Sequence, residues 1–274
     1  MQTTEKQFNT GELTLNYIET GSGPALVLLH GMTGMWQAWY GLIPELSKNW
    51  HVYAPDFRGH GKSGRAPDGQ YRNQDYARDV IALLKHIGEP AVLVGHSLGA
   101  MVATIVAAEY PAGVSGVMLI DPPFFTATAD VRLHIDSTEW FELIVALKGD
   151  NPTHDQLVAR SRELMPEADE HMLQGRVQMV EQVDVGTVQT ALDNRLWEGV
   201  DLDHDLRAIQ APLLVIYADW DRGGAMHEED VDHVKDVCPN ALIVHIPGAD
   251  HQIPFNFPEV VFQQMKVLSS LVRA

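Results

Sequence analysis

Ala91-Val92-Leu93-Val94-Gly95-His96-Ser97-Leu98-Gly99-Ala100-Met101 is the stretch whose reading decides the fold. An apolar, β-branched run ends at Gly95, and a helix-forming run opens after Ser97. The pattern is a strand, a sharp turn and a helix, with G-x-S-x-G on the turn. Without a Cβ at 95 and 99, strand and helix can approach closely and Ser97 can take a strained backbone. That leaves the Ser97 hydroxyl exposed at the carboxyl edge of a sheet. The backbone N–H of Leu98, at the N-terminus of the new helix, then points where an oxyanion would form. Alone, the pentapeptide is equally a glycine-flanked turn that contains a serine. The flanking strand and helix are the context its chemistry requires.

Outward from this turn, buried strands alternate with helices. Ala25–Leu29 is a continuous apolar run, as in a parallel strand covered on both faces. His51–Ala54, Val114–Ile120, Pro212–Ala218 and Ala241–Ile246 read as further strands, and Glu12–Glu19 alternates in strand fashion. Helices are expected over Met35–Lys48 (interrupted by Pro44), Tyr71–Ile87, Leu98–Tyr110, Glu228–Val237 and Pro258–Arg273. This alternation specifies an α/β fold: a mostly parallel sheet flanked by helices. Between 124 and 205 the rhythm breaks into helices alone, among them Thr138–Lys148, Pro152–Leu164 and Pro166–Val183. The expectation is a core domain from 1–123 and 206–274 with a helical cap (lid) inserted at 124–205, too long for a plain loop.

The 274 residues carry 37 Asp and Glu against 19 Lys and Arg, a net charge of −18. Residues 124–205 hold 17 of those acids and 6 bases. Such a balance argues against nucleic acid and anionic membrane as partners and leaves a small molecule as the expected one, with a homodimer open. Cys238 is the lone cysteine, so an intrachain disulfide is excluded. Residues 1–11 lack the apolar run of a signal peptide, and no stretch approaches 18 apolar residues; the expected location is cytoplasmic.

His30-Gly31, Asp56-Phe57-Arg58-Gly59-His60-Gly61-Lys62-Ser63, Gly95-His96-Ser97-Leu98-Gly99, Asp221 and Gly248-Ala249-Asp250-His251 together resemble the α/β-hydrolase fold family, in its motif order from about residue 12 to the C-terminus. The resemblance implies a cofactor-independent serine hydrolase of esterase or lactonase type, with a Ser–acid–His triad and no metal. A serine hydroxyl needs a base, and that base needs a carboxylate to orient it. Of 13 histidines, His251 is the best base, since it follows the last strand in a loop ahead of the closing helix. His86, His154, His171, His204 and His233 lie on polar helical stretches. His96 neighbours Ser97, but successive side chains on the turn point apart. His30 and His60 belong to turn motifs with structural roles in the resembling family.

Asp221, just past the 212–218 strand, is the expected acid; Asp219 and Asp121 are alternatives, because geometry decides the role. Asp250, beside the base, could raise its pKa or face solvent. The second oxyanion donor is expected to be the backbone N–H of Met32. Trp36, Phe124, Phe125 and Trp220 are candidate substrate contacts. Met165, Met172 and Met179 recur at seven-residue spacing, read as packing on one helical face.

Two nucleotide-binding patterns fail. Gly59-His60-Gly61-Lys62-Ser63-Gly64 fits G-x-G-x-x-G, but Arg65-Ala66-Pro67-Asp68-Gly69 breaks the chain where a helix must open. The first glycine of a P-loop would fall on Asp56. Asp219, Asp221, His227 and His251 lack tight metal-ligand spacing. The reaction expected is cleavage of a carboxylic ester or lactone with an apolar portion; a C–C bond hydrolase or amidase, or a hydrolase-fold ligand receptor, are the rivals.

Overall fold

The computed structural model describes residues 4–66, 69–124, 135–149 and 152–272. Among these, the strands are β1 (Thr4–Asn9), β2 (Thr14–Gly21), β3 (Ala25–Leu29), β4 (His51–Pro55), β5 (Ala91–His96), β6 (Val114–Ile120), β7 (Leu213–Tyr217) and β8 (Leu242–His245). They form one eight-stranded sheet in the order β1-β2-β4-β3-β5-β6-β7-β8. β2 pairs antiparallel with β1 and β4, and every pair from β4 through β3 to β8 is parallel.

The helices are α1 (Ile43–Leu46), α2 (Asn73–Ile87), α3 (Leu98–Glu109), α4 (Ile135–Lys148), α5 (His154–Leu164), α6 (Glu170–Gln182), α7 (Val185–Leu192), α8 (Leu202–Ala208), α9 (Glu228–Val237), α10 (Ile253–Asn256) and α11 (Pro258–Val272). Among the described residues, helices α4 to α8 lie between β6 and β7, where the sequence lacks a strand pattern.

Why the central strands read as continuous apolar runs is visible in the packing. Along β3, Ala25, Val27 and Leu29 join one core cluster, with Val80 and Leu84 of α2 and Val102 and Val106 of α3. Leu26 and Leu28 join a second, with Leu42 and Ile43 near α1 and Met265 and Leu268 of α11. Alternate side chains thus enter opposite cores, and no face is left for water. Burying each aliphatic side chain is worth about 1.5–3 kcal/mol.

Two local expectations differ from the fold. Met35–Lys48 is not one helix: it holds a 3₁₀ turn at Trp36–Trp39 and the single turn α1. Pro44 sits at the start of α1, where a missing N–H costs nothing, so it opens that turn rather than interrupting a longer one. The polar start of the chain contains β1, whose mostly exposed TEKQFN pairs with β2 through its backbone and a Lys6–Glu19 ion pair (2.7 Å) and leaves no alternating apolar signature.

Candidate active site

The carboxyl ends of β5, β6 and β7 lie side by side, and the site is built there. A Cβ at Gly95 would stand 2.2 Å from the Gly99 carbonyl oxygen, and one at Gly99 would stand 2.0 Å from that of Leu29. Both approaches are closed to any other residue. Ser97 turns between them with φ 53° and ψ −116°, and its N–H donates to the Ile120 carbonyl (3.1 Å), pinning the turn to β6. The left-handed backbone costs of order 1–3 kcal/mol, offset by packing on both sides. Ser97 is partly exposed although Leu98 to Ala107 behind it are buried.

His251 lies in the loop between β8 and α10. Its Nδ1 stands 2.6 Å from Asp121 Oδ2. A carboxylate only accepts, so Nδ1 carries the proton and Nε2 keeps its lone pair, the tautomer a general base requires. Asp121 is fully buried at the end of β6 with φ 47°. Its charge is met by the Ala218 N–H on Oδ1 (3.1 Å) and the Ala225 N–H on Oδ2 (2.8 Å) as well as by His251. A buried carboxylate needs such donors.

The expected pairing of His251 with Asp221 is therefore corrected. Asp221 is exposed within the 3₁₀ turn Trp220–Arg222, directed off the end of β7. Asp219 is not the partner either: it accepts from His245 Nε2 (2.6 Å) and the Gly248 N–H (2.7 Å), which ties the start of the histidine loop to β7. Because β6 lies between β5 and β7, the carboxylate at its end is one strand nearer Ser97 than those beyond β7. Asp250 turns to its own loop: it accepts from the Gln252 N–H (2.9 Å) and from Asn256 Nδ2 (2.9 Å), holding the entry to α10.

The loop after β3 carries the Met32 amide, the expected second oxyanion donor. The Gly34 N–H donates to the Gly31 carbonyl (3.0 Å), closing a turn with Met32 and Thr33 at its centre. Thr33 has φ 64°, the region demanded at the third position of a type II turn. In such a turn the second residue's N–H takes no part in the closing bond. Among the described residues neither the Met32 nor the Leu98 N–H has an acceptor, which leaves both amides for an incoming oxygen. A Cβ at Gly31 would lie 3.3 Å from Ser97 Cβ, so this loop borders the serine directly.

Two buried histidines hold that loop. His30 Nδ1 donates to the Gly31 carbonyl (2.8 Å) while its Nε2 accepts from the Phe57 N–H (3.0 Å). His60 Nδ1 donates to the Arg58 carbonyl (2.9 Å) while its Nε2 accepts from the Thr33 N–H (3.3 Å). Each ring must stay neutral to do both, and burial pushes both pKa values down. Asp56 completes the frame by accepting from the Trp36 and Lys62 amides and from Asn16 Nδ2. The glycine-rich 59–64 stretch is thus a turn folded around Asp56. Of the four non-glycine residues with positive φ among those described, Thr33, Ser97 and Asp121 belong to this site.

The aromatic candidates divide. Trp36, a candidate substrate contact, is buried in the core cluster with Trp39, Leu42 and Ile43. Met32 is partly buried against the other cluster, on the side of α2 and α3. Phe124, three residues past Asp121, is 2% exposed with its ring centroid 6.4 Å from Trp197. Trp220 is half-buried and edge-on to His227. Phe125 lies outside the described residues. The methionine stripe does not form: Met165 caps the end of α5, while Met172 and Met179 lie on α6 with Met172 exposed. Among the described residues no group of three His, Cys, Asp or Glu could hold a metal ion, and no helix is long and apolar enough to cross a membrane.

Comparison with known proteins agrees with this architecture. The alpha/beta hydrolase fold family profile matches residues 24–258. Among curated proteins, the chain is 29% identical over 279 residues to 2-(acetamidomethylene)succinate hydrolase of Mesorhizobium japonicum, covering 98% of this chain and 95% of that protein. It is 26% identical over 242 residues to N-formylmaleamate deformylase of Pseudomonas putida, covering 86% and 85%. Among solved structures, E-2-(acetamidomethylene)succinate hydrolase superposes with a TM-score of 0.73 at 24% identity over 98% of this chain and 100% of that one.

Proposed function

Because the chain belongs to the alpha/beta hydrolase fold family, we propose that it hydrolyses a small carboxylic acid derivative by acyl transfer through Ser97. His251 Nε2 takes the Ser97 proton as Oγ attacks the substrate carbonyl, and Asp121 stabilises the imidazolium that results. The Leu98 and Met32 amides receive the oxyanion, aimed at charge that exists only in the transition state. His251 then gives its proton to the leaving group, and water, activated in the same way, releases the acyl-enzyme. The observation that carries this reading is the 2.6 Å His251–Asp121 bond at the edge where Ser97 turns.

The bond cleaved is a carboxylic ester or lactone with an apolar portion. A second reading, the amide of an N-acyl group, is favoured by one observation: two relatives that span most of this chain are named for acetamido and N-formyl compounds. Turnover of wild type and Ser97→Ala should be compared on short and long esters, lactones, N-formyl and N-acetyl amides, and vinylogous diketones. Multiple turnover of an ester, lactone or amide by wild type alone is the expected result. Equal rates for the two proteins would end the Ser97 reading, and turnover confined to the diketones would move the reaction to C–C cleavage.

A further inference from the structure

His96, the residue before the nucleophile turn, is the last residue of β5 and only 5% exposed. Its Nε2 lies 2.8 Å from the carbonyl oxygen of His251, 155 positions away in the chain. The two rings stand 4.8 Å apart at an angle of 41°. A carbonyl oxygen only accepts, so Nε2 carries the hydrogen and Nδ1 the lone pair. On its other side, Nδ1 would be 3.1 Å from a Cβ at Gly31, so the ring is wedged between the base loop and the oxyanion loop.

We propose that His96 is a positioning residue for the base: by donating Nε2–H to the His251 carbonyl, it fixes the backbone from which the His251 imidazole reaches Asp121. This rests on the Ser97–His251–Asp121 reading. The other anchors of that loop hold its neighbours: Asp219 holds Gly248, and Asp250 holds Gln252. His96 bonds the backbone of residue 251 itself. Its neutrality suits the task. Burial foremost, with repulsion from a charged His251, pushes its pKa down to about 3, against smaller opposing effects of the bond to His251 and the charge of Asp121. With His30 the remaining titratable neighbour, also kept neutral by burial, only His251 of the adjacent rings takes a proton during turnover.

A packing role and a positioning role make different demands. Phe fills the space of His but cannot donate; Gln can donate from a similar reach. On an activated ester, His96→Phe is expected to lower kcat by ~10–100-fold with KM within about twofold, since misplacing a reacting group by about 1 Å can cost about 10²-fold. His96→Gln should recover kcat to within about fivefold, because its amide can still donate to the His251 carbonyl. A folded His96→Phe with wild-type kcat, or a folded His96→Gln as impaired as His96→Phe, would overturn the proposal. If the Phe variant does not fold, ¹⁵N-histidine NMR of the wild type decides: His96 must hold the Nε2–H tautomer without titrating from pH 5 to 8, and an Nδ1–H tautomer or a titration overturns it. Ser97→Ala separates the two readings. Activity surviving there removes the triad, and the His96 proposal with it; activity lost there but full in His96→Phe removes only the latter.

Discussion

His251 Nδ1 and Asp121 Oδ2 stand 2.6 Å apart across 130 positions of sequence, joining the loop after β8 to the end of β6. The sheet order makes this pairing geometrically direct. β6 is hydrogen-bonded to β5, whose end leads into Ser97, and β7 lies one strand further out. Asp121 also accepts from the amides of Ala218 and Ala225, which follow β7, so β7 supplies donors to the carboxylate rather than the carboxylate itself. A buried anion with three donors is held in one orientation.

The first test compares Asp121→Asn with Asp221→Asn. Asparagine tolerates a left-handed backbone, so φ 47° at 121 survives the change. The amide cannot keep the Nδ1–H tautomer of His251, a loss worth about 10⁴ in kcat in serine proteases. With an activated ester the expected loss in Asp121→Asn is at least ~10²-fold. Asp221→Asn, at an exposed position, should remain near wild type. The opposite pattern in kcat would return the acid to residue 221.

Much of this site was legible in the sequence. The apolar run of β5, the glycines at 95 and 99 and the order of β and α segments are local features, and local features are written in sequence. The acid was not, because its identity depends on which strand lies beside β5 and where the chain turns after β7. Asp219 and Asp221 sit where the motif spacing expects an acid, yet one bonds His245 and Gly248 and the other faces out. The clue was a lone Asp ending the buried run 114–120, with Asp121 needing partners only tertiary structure supplies. His96 does not read as the base from sequence, and its bond to the His251 carbonyl joins residues far apart in sequence and has no motif.

A fluorophosphonate should phosphonylate Ser97 alone, because only an activated hydroxyl reacts at neutral pH. Peptide mapping should find the adduct between residues 91 and 110. Asp121→Asn should slow labelling in step with its loss of turnover. An adduct elsewhere, with that peptide unmodified, would contradict the assignment of the nucleophile.

Stability should hinge on a pair remote from the chemistry. Arg58 is fully buried, and its Nε and Nη2 donate to Asp79 Oδ2 (2.7 Å) and Oδ1 (2.9 Å). Asp79→Asn strands a guanidinium inside the protein, with Glu12 a half-exposed and weaker partner. A cost of about 3–5 kcal/mol is expected in urea unfolding, with m unchanged. Replacing both residues by apolar ones of similar size should cost less than Asp79→Asn alone. A loss under about 1 kcal/mol for the single variant would show the pair to be dispensable.

The neutral histidines also fix how the fold responds to acid. Burial lowers the pKa values of His30, His60 and His96 in the folded chain, while unfolding restores them to roughly 6.5. Below that value the unfolded chain binds protons the folded chain refuses, so stability must fall as pH drops and is complete above it. For His96, folded near pKa about 3, the contribution lost between pH 7.5 and pH 5 is about 2 kcal/mol. His96→Gln removes the titrating group but keeps a donor. Urea unfolding of wild type and His96→Gln at both pH values should therefore show a smaller acid-induced loss in the variant, by about 2 kcal/mol. Parallel losses in the two proteins would mean that His96 takes up a proton in the folded state as readily as in the unfolded one, against the effect of its burial.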